Sequence, residues 1–164
     1  MKKSLAAGAL LALGTPAAAQ DTPQLEFAFE ERVTLGEPIL AGTTARGERL
    51  IYPITGGTFE GPNLRGEVLP MGWDWQLRRD DGCTEVEADY FIRTDDGVII
   101  NVVNEGVICR VGEQDVAPVR TQPVFEAPLG KYEWLSKSGF LGTLEPEMDG
   151  DKAAAVRIRF YRAR

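Results

Sequence analysis

The sequence predicts an all-β chain, a single antiparallel β-barrel of about nine strands with one short helical turn. Three observations predict it. Past Asp21 the apolar residues recur at every second position, the period of a strand with one buried face. Turn-forming residues stand between the periodic runs, at Gly36, Gly56-Gly57, Gly61-Pro62, Pro70, Gly72, Asp80-Asp81-Gly82, Asp95-Asp96-Gly97 and Gly130. The 164 residues suit one domain with a full core, and no helices alternate with the strands.

The first nineteen residues read as an address. Lys2 and Lys3 precede an apolar run from Leu5 to Leu13, followed by Thr15, Pro16 and Ala17-Ala18-Ala19. Positive start, short apolar run and small residues before a cut are the three parts of a secretory signal peptide. The run is about half the ~20 apolar residues that a membrane-spanning helix needs. Cleavage after Ala19 would leave a barrel domain of residues 20–164 and carry the net charge from −7 to −9. No cysteine stands near the cut to accept a lipid anchor. The expectation is a periplasmic or secreted protein without a membrane anchor.

In the first strand, Leu25, Phe27, Phe29, Glu31, Val33 and Leu35 share one face. Further strand-like runs cover 48–55, 57–69, 73–79, 83–94, 98–109, 118–126, 138–145 and 154–162, and the helical turn falls at 131–137. Asp95-Asp96-Gly97 suits a three-residue hairpin loop that pairs Thr94 with Val98. That register gathers Val86, Ala88, Tyr90, Ile92, Val98, Ile100, Val102 and Ile108 on one core face. It also sets Cys83 opposite Cys109, the only two cysteines, with Cα atoms about 4.5 Å apart. In an exported chain this predicts a disulfide.

The preceding hairpin, treated the same way, pairs Arg79 with Cys83. It turns Asp74, Gln76 and Arg78 inward and Trp73, Trp75 and Leu77 outward. Either a bulge near Asp80 exchanges the faces, or the barrel holds a polar pocket and another element or subunit covers the tryptophans.

Composition removes several chemistries. With no histidine there is no Ser-His-Asp or Cys-His nucleophile and no histidine-ligated metal. The acidic balance argues against nucleic acid. Gly56-Gly57 lacks the strand–helix setting of a dinucleotide fingerprint, so no cofactor is expected, and paired turns or bulges explain these glycines better than an anion cradle. Glu145, Glu147, Asp149 and Asp151 alternate as calcium ligands could, but a solvated hairpin loop accounts for them without a metal. Arg157, Arg159 and Arg162 read as the solvent face of the last strand.

Five positions carry the chemistry that remains. Glu31 on an apolar face would be desolvated and suited to proton transfer, unless a bulge at Glu30-Glu31 turns both glutamates to solvent. Asp74 and Gln76, two residues apart on one strand face, could hold a polar ligand at a barrel mouth; alternatively Asp74 caps the turn after Gly72. Tyr90 and Trp134 either line that pocket or serve as core aromatics.

The run from Ile54 to Pro70 (Ile-Thr-Gly-Gly-Thr-Phe-Glu-Gly-Pro-Asn-Leu-Arg-Gly-Glu-Val-Leu-Pro) resembles the signature of the domain of unknown function 3237 family. Asp74-Trp75-Gln76, Tyr90, Arg93-Thr94-Asp95-Asp96-Gly97 and Trp134-Leu135 extend the resemblance across Leu25 to Tyr161. It implies a single-domain antiparallel β-barrel, mostly bacterial and fungal, with no settled activity. Many members look cytosolic; the export signal and cysteine pair depart from that pattern.

The resulting expectation is an exported barrel that binds a small carbonyl-bearing or aromatic metabolite near Asp74, Gln76, Tyr90, Trp134 and Glu31. If it is an enzyme, Glu31 and Asp74 would perform cofactor-free proton transfer of isomerase or lyase type. The alternative is a non-catalytic periplasmic structural or interaction protein with an apolar partner interface, a homo-oligomer included. Mass spectrometry of exported material should find a mature chain beginning at Gln20; an intact Met1 would defeat the export reading.

Overall fold

In a computed structural model, residues 22–111, 114–115 and 119–164 are described. The expected signal peptide of residues 1–19 lies outside them. Ten strands form: β1 (Leu25–Leu35), β2 (Ile39–Thr44), β3 (Gly47–Glu60), β4 (Arg65–Arg78), β5 (Cys83–Thr94), β6 (Ile99–Val111), β7 (Gln114–Asp115), β8 (Val119–Glu126), β9 (Phe140–Asp149) and β10 (Lys152–Ala163). Eight of them close a ring in the order β1-β10-β9-β8-β6-β5-β4-β3, completed by β1 pairing with β3. β2 adds to the start of β3 outside that ring, and the two-residue β7 pairs with β6. Every ladder is antiparallel.

Several expected turns are bulges within long strands. Gly56 and Gly57 lie inside β3, where the register shifts between Pro53 and Gly57. Gly57 has φ of +144°, and a Cβ there would stand 2.0 Å from the Arg32 carbonyl oxygen across the β1–β3 seam. Glycine is required on both counts. Pro70 and Gly72 likewise sit at a bulge of β4, between Val68 and Gly72. Proline has no N–H for the ladder and is tolerated where pairing is interrupted. The chain instead reverses at Gly61–Leu64, where the Gly61 N–H donates to the Leu64 carbonyl at 2.8 Å.

β2 escaped the sequence reading because Ile-Leu-Ala-Gly-Thr-Thr has no alternation; all six residues are exposed. The helical turn at 131–137 is a run of turns, with Glu133 N–H donating to Gly130 and Leu135 N–H to Tyr132; the described residues contain no helix. In β1 a bulge between Phe27 and Phe29 breaks the predicted face. Phe29 is 0% exposed, whereas Phe27 is 41% exposed and Leu25 also faces solvent.

The core fills the ring from one end. Phe29 packs against Phe59, Phe125 and Phe160, with centroids 4.7–5.8 Å apart. The turns following β8 bury Tyr132 and Leu135 on the same cluster. Asp96 fastens this segment, accepting from Tyr132 Oη at 2.9 Å, Lys131 Nζ at 2.8 Å and Thr94 Oγ1 at 2.5 Å. We call this the capped end.

At the opposite end Cys83 and Cys109 face each other across β5 and β6, as the hairpin register predicted, and are joined in a disulfide with Cα atoms 4.2 Å apart. A bridge across this span restricts the unfolded chain by roughly 3 kcal/mol in the loop-entropy account. Reduction should therefore lower the urea midpoint by a corresponding amount. A thiol titration of denatured, unreduced protein should find none reactive; two per chain would refute the bridge.

Candidate functional site

The β4–β5 ladder runs without interruption from Gly72 to Arg78 and sets Asp74 opposite Ala88, Gln76 opposite Val86 and Arg78 opposite Thr84. The faces are therefore not exchanged near Asp80. Asp74 points inward at 8% exposure, while Trp73 and Trp75 point outward at 44% and 40%. Leu77 shares their face but is buried, flanked in register by Arg49 and Glu85, whose long stems can shelter it.

Two hydrogen-bonded pairs hold the carboxyl groups. Tyr90 Oη donates to Glu31 Oε1, and Gln76 Nε2 donates to Asp74 Oδ2 at 2.7 Å. Glu31 is 1% exposed. Its neighbour Glu30 faces outward, accepting from Arg157 at 2.8 Å and Arg159 at 2.6 Å. The β1 bulge falls three residues earlier than Glu30-Glu31, so only Glu30 reaches solvent.

Burial decides the charge of both acids. Removing a carboxylate from water disfavours its ionised form. Burial pushes Glu31 up to about 8, with the Tyr90 hydrogen bond opposing, and Asp74 up to about 6, with Gln76 opposing. Tyr90 is raised well above its ordinary value, first by burial, then by Glu31, with Asp74 adding to the effect. Tyr90 thus lies within the field of both acids. At pH 7 Glu31 is mostly a neutral acid and Asp74 mostly a carboxylate.

Among the described residues, four inner oxygens lack a hydrogen-bond partner: Glu31 Oε2, Asp74 Oδ1, Asn104 Oδ1 and Thr121 Oγ1. Buried polar atoms are seldom left so, and each keeps an unused acceptor position. The sequence reading did not single out Asn104 or Thr121. Asn104 was within reach, since the β5–β6 register puts it opposite Ala88 on the inner face. Thr121 depends on the pairing of β8 with β6, which joins it to Gly106 and which no local turn fixes.

Of the expected site residues, Glu31, Tyr90, Asp74 and Gln76 come together inside the ring. Trp134 does not join them. It packs on Phe140 at the capped end, with ring centroids 5.9 Å apart. Arg157 and Arg159 do face outward, but Arg162 lies on the inner register with Phe140, its guanidinium 5.3 Å from the Trp134 ring centre. The two-residue period explains the correction, since 162 has the parity of the buried Ile158 and Phe160. Glu145, Glu147 and Asp149 end β9, and Arg32 and Arg157 hold Glu147. No group of three or more potential metal ligands occurs among the described residues.

A family model described as "Protein of unknown function (DUF3237)" matches residues 23–163. A UPF0311 protein of Rhodopseudomonas palustris (strain TIE-1) is 35% identical over 144 residues, covering 78% of this chain and 93% of its own. A protein of Penicillium herquei named hydroalkoxylation enzyme phnH is 31% identical over 140 residues, covering 85% of each chain. The crystal structure of a beta-barrel like protein from Acinetobacter baumannii AYE superposes with a TM-score of 0.78 at 31% identity, over 90% of this chain and 100% of its own.

Because Glu31 and Asp74 are raised, the folded chain holds protons that the unfolded chain has released. Their contribution to stability is complete below the ordinary carboxylate values and is lost as pH rises to about 6 for Asp74 and about 8 for Glu31. Urea unfolding should therefore show stability falling between pH 5 and pH 8, by at most ~1.4 kcal/mol per pH unit for each group. Glu31→Gln should flatten the upper half of that slope. A wild-type stability that rises across the window would show that Glu31 is ionised in the fold.

Proposed function

The chain belongs to this family of unknown function, and from that membership we propose that it is an exported barrel that binds a small hydroxylated, unsaturated or carbonyl-bearing molecule and moves a proton on it without a cofactor. The observation that carries the reading is the inner pair of acids, pushed to different proton affinities and each presenting an unpartnered oxygen. Two acids set apart in this way can serve as base and acid in one reaction.

Asp74, ionised at neutral pH, takes the proton from a substrate hydroxyl through Oδ1. The freed oxygen forms a C–O bond at one carbon of a C=C bond, and the displaced electron pair takes a proton from Glu31 at the other carbon. Tyr90, bonded to Glu31 and within the field of Asp74, returns the proton from Asp74 to Glu31. No net proton is consumed. The reverse sequence is an elimination, so lyase and isomerase chemistry use the same groups. The relative named for hydroalkoxylation, the addition of O–H across a double bond, supports this class. The disulfide supports export, since such bonds persist in oxidising compartments.

A second reading has its own observation. Met71, Trp73, Phe91 and Ile99 are exposed around an outer groove of about 830 Å³, which fits an interface with a partner protein.

A series of hydroxy-enones, which close by adding their hydroxyl across the conjugated double bond, tests the first reading. Turnover should rise through about pH 6 and fall through about pH 8. Glu31→Gln and Asp74→Asn should each lower kcat by about 10²–10⁴ while leaving the fold intact by circular dichroism. If neither turnover nor solvent-deuterium incorporation is seen with any substrate that binds, the catalytic reading fails and the interface reading gains.

A further inference from the structure

We infer that the capped end of the barrel carries an organic-anion site, built on Arg162 and Trp134, that takes a small aromatic carboxylate. A recess of about 350 Å³ opens there, of the size that small-molecule sites use. Its walls include Phe27, Ala28, Asn63, Lys131, Trp134 and Arg162. The site shares no residue with the Glu31–Asp74 interior and stands or falls independently of it.

Arg162 is the reason. The other arginines of β10 are satisfied: Arg157 pairs with Glu30 and Glu147, and Arg159 with Glu30 and Glu145. Arg164, just beyond the strand, pairs with Glu26. Arg162 has no carboxylate within ion-pair distance among the described residues. Glu26 stands opposite it in register, but its carboxylate is engaged by Arg164.

The Nε of Arg162 is buried and has no hydrogen-bond acceptor. An N–H of a charged group in that position is costly to leave unmade. The Trp134 ring centre lies 5.3 Å from the guanidinium carbon and limits its swing, so the two Nη groups, which have no acceptor among the described residues, present a fork to the recess that Arg162 lines. Two oxygens of one carboxylate match that fork. Lys131, paired with Asp96, and Arg164, paired with Glu26, also line the recess, as does Glu26 itself; these pairs offset one another, so the uncompensated charge there is that of Arg162. Phe27 and Trp134 offer ring surface within the recess, and the exposed Asn63 supplies an amide. A bare inorganic anion would use the fork and waste the rings; an aromatic carboxylate uses both.

The disulfide-bonded protein can be titrated with benzoate, benzyl alcohol and inorganic phosphate. Binding is followed through the Trp134 indole resonance, assigned by its loss in Trp134→Phe. Benzoate should shift that resonance saturably, and benzyl alcohol and phosphate should each bind at least about tenfold more weakly. Arg162→Gln should weaken benzoate at least about tenfold, and Arg162→Lys, which keeps the charge but not the fork, by less. An unshifted Trp134 resonance, equal binding of benzyl alcohol, or full affinity in Arg162→Gln would overturn the site. Equal binding of phosphate would overturn the aromatic carboxylate as its ligand. Should Arg162→Gln fail to fold, the wild-type comparison of benzoate with benzyl alcohol decides.

Discussion

Closure of the sheet through the β1–β3 seam is the constraint on which everything else rests. An open sheet would leave β1 and β3 as edges and expose Glu31 beside Phe59, its partner in register across the seam. Closing it makes β3 serve β1 along its second half and β2 along its first, so the strand must bend between them. The Gly56-Gly57 bulge supplies that bend, and the close approach of Gly57 to Arg32 lets the two backbones meet. The same closure turns a glutamate that would be a solvated edge residue into one that is 1% exposed. The proton affinity of Glu31 is thus a consequence of topology: burial raises it and only the Tyr90 hydrogen bond opposes.

What could be read in the sequence follows from which interactions are local. The Asp-Asp-Gly hairpins fix their own registers, so the β5–β6 face and the cysteine pair were legible, whereas the direction of Asp74 and Gln76 stayed open between two readings until the β4–β5 ladder decided it. The oddity of tryptophans facing outward was legible too, and the structure resolves it in favour of a polar interior. Bulges were not legible as bulges. Gly-Gly and Pro-x-Gly read as turns because both settings ask for the same residues, and only the neighbouring strand tells them apart. The bulge in β1 has no turn residue at all, so alternation alone places Phe27 on the same face as Phe29. Long-range pairings set the rest. Thr121 and Arg162 became visible as site residues only once β8, β9 and β10 had partners.

Retaining two buried acids runs against stability, since apolar residues of similar volume would avoid their desolvation. Neither acid is compensated by a cation. Each has one donor: a phenol for Glu31, a carboxamide for Asp74. The difference between them is burial, which is complete for Glu31 and slightly relieved for Asp74. That graded exposure is what spreads their proton affinities to either side of neutrality. A structural role alone asks for no such spread, whereas acid–base chemistry at neutral pH does.

On the two proposed readings, the capped end and the interior of the barrel would divide recognition by charge. Among the described residues, the Arg162 guanidinium beside Trp134 lacks an acceptor at the capped end, and four oxygens within the ring lack partners. An anion anchored at Arg162 would be repelled by an ionised Glu31, but that glutamate is held neutral up to about pH 8. Asp74 keeps its charge at neutral pH, where Gln76 partly offsets it. The neutrality of Glu31 therefore does two things: it keeps a proton available inside the ring, and it leaves the interior free of one negative charge that would oppose the cationic mouth. A glutamate with an ordinary proton affinity would do neither.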